Sequence, residues 1–267
     1  MYRYILPLLI LLYSIPSTSI AEEHLRMATT TSTDNSGLLP VLNPPFEKKY
    51  GVKLDVIAVG TGKALRLGQD GNVDLVFVHA PPAEIKFVES GYGVDRQPVM
   101  HNDFVLLGPP SDPAGLRQAT SIKDAMARIA AASAPFISRG DDSGTDKKEK
   151  QLWSLASIKP QGDWYMSAGQ GMGAVLKIAD DKLAYTLSDR GTYLAFRDKM
   201  ALVVVYEGAK ELYNPYHIIL VNPKQYPDVK YDLAKRYSDF VRGPEGQKII
   251  GDYRVAGEQL FHPDVIK

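Results

Sequence analysis

Two segments of this 267-residue sequence carry its chemistry: Thr29-Thr30-Thr31-Ser32-Thr33-Asp34-Asn35-Ser36-Gly37 and Ser138-Arg139-Gly140-Asp141-Asp142-Ser143-Gly144-Thr145. Each follows a short apolar run that reads as a strand, and each opens a stretch that reads as a helix. The first N–H groups of a helix lack internal partners and sit at the positive end of the helix dipole. A turn that adds hydroxyls to those amides is a ready site for an anion. Two such turns suggest two lobes gripping one anion.

Arg139 is the one cation inside either turn, and its guanidinium offers a charge-assisted, two-pronged contact to an oxyanion. The competing reading is a surface arginine paired with Asp141 or Asp142. A bare carboxylate facing an anion repels it, so Asp141 is expected to orient Arg139 from behind. Asp142 or Asp146 is then expected to cap or charge the helix start. Ser143, Gly144 and Thr145 follow directly as donors. In the first turn side chains alternate along extended chain, so about two of Thr30, Thr31, Ser32 and Thr33 should face inward. A helix cap made by Ser32, Thr33 or Asp34 is compatible with that.

Gly60-Thr61-Gly62-Lys63 lacks the spacer and final hydroxyl of a nucleotide loop. As a third strand-to-helix turn it contributes Thr61, while Lys63 reads as a solvated helix residue. Arg190, within Ser188–Tyr193, reads equally as support for the cleft and as a ligand. His79 ends an apolar strand and reads as a satisfied core or rim histidine. The five histidines are scattered, and neither a G-x-S-x-G elbow nor H-E-x-x-H occurs. The expectation is therefore a binding protein with no catalytic residues, no cofactor and no metal-cation site.

The elements that must position these turns alternate between strand and helix. Strands are expected at Leu25–Ala28, Lys53–Val59 and Val73–His79, the last continuously apolar as in a parallel sheet buried on both faces. Helices are expected at Ser36–Tyr50, interrupted by Pro44 and Pro45, after Gly60, and at Ala83–Ser90. His101–Pro109 and Tyr216–Pro223 resemble each other as extended apolar runs stopped by proline. Between them lies a second α/β unit, with helices near Ser121–Ala132, Lys147–Ser157 and Gly173–Asp180 and strands Pro135–Ser138 and Leu183–Ser188. A helix near Asp228–Arg242 and a shorter one follow. A chain that leaves one lobe and returns on a matching strand gives two α/β lobes joined by two crossover strands. The expected organisation is a leader over 1–21, lobe 1 over 22–104 plus 218–267, and lobe 2 over 105–217.

Composition agrees with a globular binding protein. Lys plus Arg and Asp plus Glu are 31 each, so no global field favours nucleic acid or a membrane surface, and anion affinity must be local. Arg3, the apolar run Ile5–Ile15, and the small residues Ser19 and Ala21 read as a secretory leader cleaved after Ala21. The run is too short for a membrane span of about 20 residues. Cysteine is absent, which excludes disulfides, thiolate metal sites and a lipidated cysteine. A free periplasmic monomer is expected.

In combination, several motifs carry a resemblance across essentially the whole mature chain. They are Ala28–Leu39 followed by Phe46–Gly51, Val59–Leu65, Asp74–Ala80, Met100–Phe104, Phe136–Thr145 and Asp189–Tyr193. The chain resembles the periplasmic tungstate-binding proteins of ABC importers. The resemblance implies a two-lobed type II periplasmic binding fold closing on tungstate, with molybdate second, and an inner-membrane permease as partner. The Arg139-x-Asp141-x-Ser143-Gly144-Thr145 register is also similar to phosphate-binding proteins, where the matching groups hold the anion. There the aspartate orients the arginine or accepts a phosphate proton. By that likeness Arg139, Ser143, Gly144 and Thr145 are ligands, and Thr30, Thr31, Ser32 and Thr61 match the hydroxyl ligands of tetrahedral-oxyanion binders. A phosphate receptor and an exported phosphate-ester hydrolase with Ser143 as nucleophile are the alternatives.

Overall fold

A computed structural model describes residues 23–265, so the expected leader with its cleavage point lies outside the described residues. The main strands are β1 (Glu23–Thr30), β2 (Val52–Val59), β3 (Leu75–Val78), β4 (Gly93–Gly108), β5 (Phe136–Ser138), β6 (Tyr165–Ser167), β7 (Thr186–Asp189), β8 (Val203–Tyr206) and β9 (Tyr213–Val221), with three two-residue strands near the C-terminus. The helices are α1 (Thr31–Asn35), α2 (Leu39–Tyr50), α3 (Thr61–Gln69), α4 (Pro81–Glu89), α5 (Ile122–Ala131), α6 (Gly144–Leu155), α7 (Met172–Asp181), α8 (Arg190–Phe196), α9 (Tyr231–Arg242) and α10 (Pro244–Asp252).

Strand β1 lies between β2 and β3, parallel to both, and β9 pairs antiparallel with β3 and with β4. The parallel strands put their C-terminal ends, and hence the turns after Thr30, Val59 and Val78, on one edge. In an open α/β sheet that edge is where ligands bind. β4 belongs to two sheets. As far as Asp103 it pairs with β9, and from Phe104 it pairs with β7 instead. The switch of partners between adjacent residues makes β4 the path from one sheet to the other, and β9 is the strand that returns beside it.

Three apolar clusters follow this plan. One, built on Ala28, Leu65, Val76, Phe87 and Ile219, fills a face of the first sheet. Another, drawn from residues between Phe104 and Leu212, packs Trp153 edge-on against Phe136 at 5.3 Å. The third runs from Leu25 and Phe46 through Tyr216 to Ile137 and Leu176, tying the two halves together.

Several expected boundaries shift for local reasons. α2 runs through Pro44 and Pro45 without a break. Those prolines remove two helical N–H donors, and the helix is retained because Leu39, Leu42 and Phe46 are buried on its inner face. Phe46 meets Tyr237 edge-on at 5.1 Å. The outgoing crossover begins at Gly93, well before His101. Asp95 at positive φ and register shifts on either side of Pro98 hide that strand's period. α6 begins at Gly144 rather than Lys147, because Ser143 caps it.

Candidate functional site

The first turn is not extended chain. Thr31–Asn35 is a helical turn, and its cap is Thr30, whose Oγ1 accepts from Thr33 N at 3.1 Å. The alternation expected for Thr30–Thr33 therefore fails, and so does capping by Ser32, Thr33 or Asp34. Thr30, Ser32 and Thr33 are buried in one network, while Thr31 is half-buried. Thr30 Oγ1 lies 2.7 Å from Thr33 Oγ1, 3.0 Å from Ser32 Oγ and 3.1 Å from His79 Nε2. Ser32 Oγ is also 3.1 Å from His79 Nε2. Thr29 serves the sheet, its hydroxyl donating to Phe77 O at 2.7 Å.

The second turn is built by backbone handedness. Gly140 and Asp142 both have positive φ, 59° and 60°. A Cβ at Gly140 would collide with Ser167 Oγ, and its positive φ strains any residue with a Cβ, so both favour glycine. Asp146 is fully buried and accepts from Gly140 N at 3.1 Å and Lys150 Nζ at 2.6 Å, so it ties the loop to α6. The helix cap is Ser143, whose Oγ accepts from Asp146 N at 3.2 Å. Asp142 is exposed and held by Lys147. Arg139, 3 % exposed, is ion-paired through Nη2 to Asp141 Oδ2, and Asp141 Oδ1 accepts from Ser143 N at 3.2 Å. Burial pushes the Asp141 carboxyl up, but the bonds from Arg139 and Ser143 and the guanidinium charge outweigh it and hold the group below its ordinary value.

The turns converge. A Cβ added at Gly144 would lie 3.2 Å from His79 Cε1 and 3.2 Å from Thr61 Oγ1, and one at Gly62 would meet Asp142 Oδ2. The start of α3, the end of β3 and the start of α6 are thus in contact. Beside this junction, a cavity of about 510 Å³ is lined by Thr31, Gly60, Lys63, Arg139, Asp141 and Gly171, among others. Lys63 and Arg66, both exposed, stand at its mouth.

Buried donors without partners mark what the arrangement can do. Among the described residues, Thr61 Oγ1, Arg139 Nε and Thr145 Oγ1 are each buried with no hydrogen-bond partner, as are Ser138 Oγ and Asn102 Nδ2. An unmet buried polar group costs about 1–3 kcal/mol, so such a set is retained where a ligand can satisfy it. Three of these five belong to the candidate ligands named from sequence, and they come from both halves of the molecule. A group with several acceptor oxygens fits them.

Arg190 stands apart from this cluster. It donates to Asp103 Oδ1 and Oδ2 at 2.6 Å each and pairs with Glu207, so it braces β4 at the switch point. His79, expected as a satisfied core or rim histidine, is hydrogen-bonded at both ring nitrogens beside the first turn. It is buried, with Nδ1 2.9 Å from Asn214 Oδ1 and its ring stacked on Tyr216 at 4.5 Å. Burial drives its pKa down; the nearby Asp189 and Glu84 and the Asn214 bond only partly offset this, so the ring is neutral. One signal could have found it: His79 follows the third parallel strand, at the same edge as Thr30 and Thr61. Among the described residues no cluster of His, Asp and Glu suits a metal cation.

The chain is similar to known proteins over most of its length. The profile of the PBP superfamily domain matches residues 17–245. A tungstate ABC transporter structure from Geobacter sulfurreducens is 58% identical, with 86% of this chain and 99% of that one covered and a TM-score of 0.81. The tungstate-binding protein TupA from Desulfovibrio alaskensis G20 is 45% identical over 91% of this chain and 99% of its own, with a TM-score of 0.79. The tungstate-binding protein TupA of Peptoclostridium acidaminophilum is 45% identical over 251 residues, 92% of this chain and 88% of that protein.

Proposed function

We propose that this chain, which belongs to the PBP superfamily and within it to the family of the tungstate-binding proteins, captures tungstate between its two halves and delivers it to an ABC importer permease. Molybdate is the second ligand. The observation that carries the reading is the set of buried, unpartnered donors, with Thr61 Oγ1 and Thr145 Oγ1 on the two helix starts that touch at Gly144 and Arg139 Nε on a side chain lining the cavity beside them. Tungstate and molybdate are fully deprotonated near neutral pH, so their oxygens only accept, and a lining of donors suits them. Thr30, Thr31, Ser32, Ser143 and the Gly144 amide complete the proposed ligand set, with Asp141 orienting Arg139 and Arg190 bracing the crossover. Several bonds of about 1.5–3 kcal/mol each support submicromolar affinity after desolvation and closure are offset.

The phosphate alternative needed Asp141 free to accept a ligand proton. Both of its oxygens are committed, to Arg139 and to Ser143 N, which speaks against it. The hydrolase alternative needed a base at Ser143. The Ser143 hydroxyl caps α6, and the His79 imidazole is bonded to Thr30, Ser32 and Asn214 instead. We place the hinge at Asp103/Phe104 on the outgoing strand and near Tyr213 on the return. Export by the N-terminal leader, release into the periplasm without a lipid anchor, and action as a monomer complete the reading. Thermal shift and calorimetry across tungstate, molybdate, sulfate and phosphate test it. Stabilisation by tungstate and molybdate is expected, and a shift with phosphate alone refutes the assignment.

A further inference from the structure

His79 connects the first turn to the crossover strands through a chain of buried amides. Asn214 on β9 and Asn102 on β4 are register partners, immediately before β4 changes sheets. Both are buried, 1 % and 3 % exposed. Asn214 Nδ2 donates to Asn102 Oδ1 at 2.7 Å, so Asn214 Oδ1 faces His79 Nδ1 and accepts a hydrogen bond from it at 2.9 Å. Two features of this direction are costly. Asn102 Nδ2 is left buried with no partner. His79 Nε2 is left a bare acceptor, 3.1 Å from both the Thr30 and Ser32 hydroxyls, and it claims one of their protons. An oxyanion needs those protons for itself.

A side-chain amide keeps its shape when oxygen and nitrogen exchange places, so the same residues support the opposite direction. Asn102 Nδ2 then donates to Asn214 Oδ1, and Asn214 Nδ2 donates to His79 Nδ1. His79 carries its proton on Nε2 and gives it to the oxygens of Thr30 and Ser32. Asn102 then turns its carbonyl oxygen, in place of an unmet amine, to the buried side where Nδ2 stood. Tyr216 OH, 3.3 Å from the Asn214 amide, donates where it now accepts; burial holds its phenol protonated. One proton leaves Nδ1 and one arrives at Nε2, so no net proton is gained.

We propose that the bound anion selects this reversed chain, making His79 a positioning residue that turns the Thr30 and Ser32 hydroxyl protons toward the ligand, with Asn214 and Asn102 carrying the ligand's presence to the hinge. The ring is neutral in both directions. Asp189, Glu84 and Arg139 are the charged groups that act on it, and burial outweighs the carboxylates.

The inference rests on the tungstate reading, and one experiment separates their failures. Nitrogen-15 NMR of the histidine rings distinguishes Nδ1–H from Nε2–H directly, in the full chain with and without sodium tungstate, with calorimetry on the same sample. Nδ1–H for His79 without tungstate and Nε2–H with it support the proposal, and Nε2–H in both samples overturns it. Nδ1–H or imidazolium in a complex that calorimetry shows to be saturated overturns it while leaving the ligand assignment intact. No binding heat removes both. Two variants give an independent reading, because a Gln amide reaches the Nε2 position and an Asn amide only the Nδ1 position. His79→Gln is expected to bind tungstate within about threefold of the parent and His79→Asn about tenfold or more weakly, at matched ligand-free melting temperatures. Equal loss in both, or loss in neither, overturns the proposal.

Discussion

The two hydroxyl-rich turns look alike in sequence and differ in state. The first is closed on itself: Thr30, Ser32 and Thr33 share their hydroxyls with one another and with His79. The second is charged and incomplete, with Arg139 Nε and Thr145 Oγ1 unpartnered although Arg139 is bound to Asp141. The difference separates two jobs. A neutral, satisfied turn holds its shape without ligand. The charged turn stores unmet donors whose cost is recovered when the anion arrives.

The largest expected effect is at the charged turn. Arg139→Ala should weaken tungstate binding by at least about 2 kcal/mol, roughly thirtyfold, because the dianion loses its nearest compensating charge. Calorimetry reads this, and unchanged affinity would make the second turn a helix cap and nothing more. Gly144→Ala comes next. Its methyl would lie 3.2 Å from both His79 and Thr61, so closure is obstructed and a loss of about tenfold is expected.

Thr145→Val and Thr61→Val sharpen the contrast. Each removes an unpartnered buried hydroxyl, so each should lower affinity by about 1 kcal/mol while leaving ligand-free stability equal or higher. Thr33→Val removes a satisfied hydroxyl and should do the reverse, losing about 1 kcal/mol of ligand-free stability with less effect on binding. Paired denaturation and calorimetry decide this. If all three behave alike, the distinction between the turns fails.

The smallest effect is a pH dependence of the ligand-free protein. His79 is held below its ordinary 6.5, so as pH falls below that value the unfolded chain gains a proton that the folded site refuses, and stability declines. Asp141 is held below its ordinary 3.8. Its contribution is present above that pH and is lost only as pH falls further. Melting temperature should therefore decline gently between pH 7 and 5, less so in His79→Gln, and then steeply in acid.

Most of the architecture was legible because it rests on periodicity. Continuous apolar strands, amphipathic helices and two matching crossover runs gave an α/β fold with a junction between halves. The strand β4 was half hidden, since Pro98 and Asp95 disturb its pattern while pairing with β9 holds it in place. At the site, hydroxyl and glycine clustering marked the segments but not their conformation. Local composition cannot distinguish a Thr31–Asn35 helical turn from extended chain, nor choose Ser143 over its carboxylate neighbours Asp142 and Asp146 as the cap of α6. Arg190 could not be separated from the ligands because its partners, Asp103 and Glu207, are remote in sequence. His79 reads in sequence as a satisfied core or rim histidine, but its partners Thr30, Ser32 and Asn214 come to it only through the fold.

Diffraction from crystals grown with tungstate tests the central claim most directly, since tungsten scatters anomalously and marks its own position. The account expects one strong tungsten peak at the junction, within hydrogen-bonding reach through its oxygens of Arg139, Thr145 and Thr61. A peak elsewhere, or full occupancy without contact to Arg139 and Thr145, would contradict it.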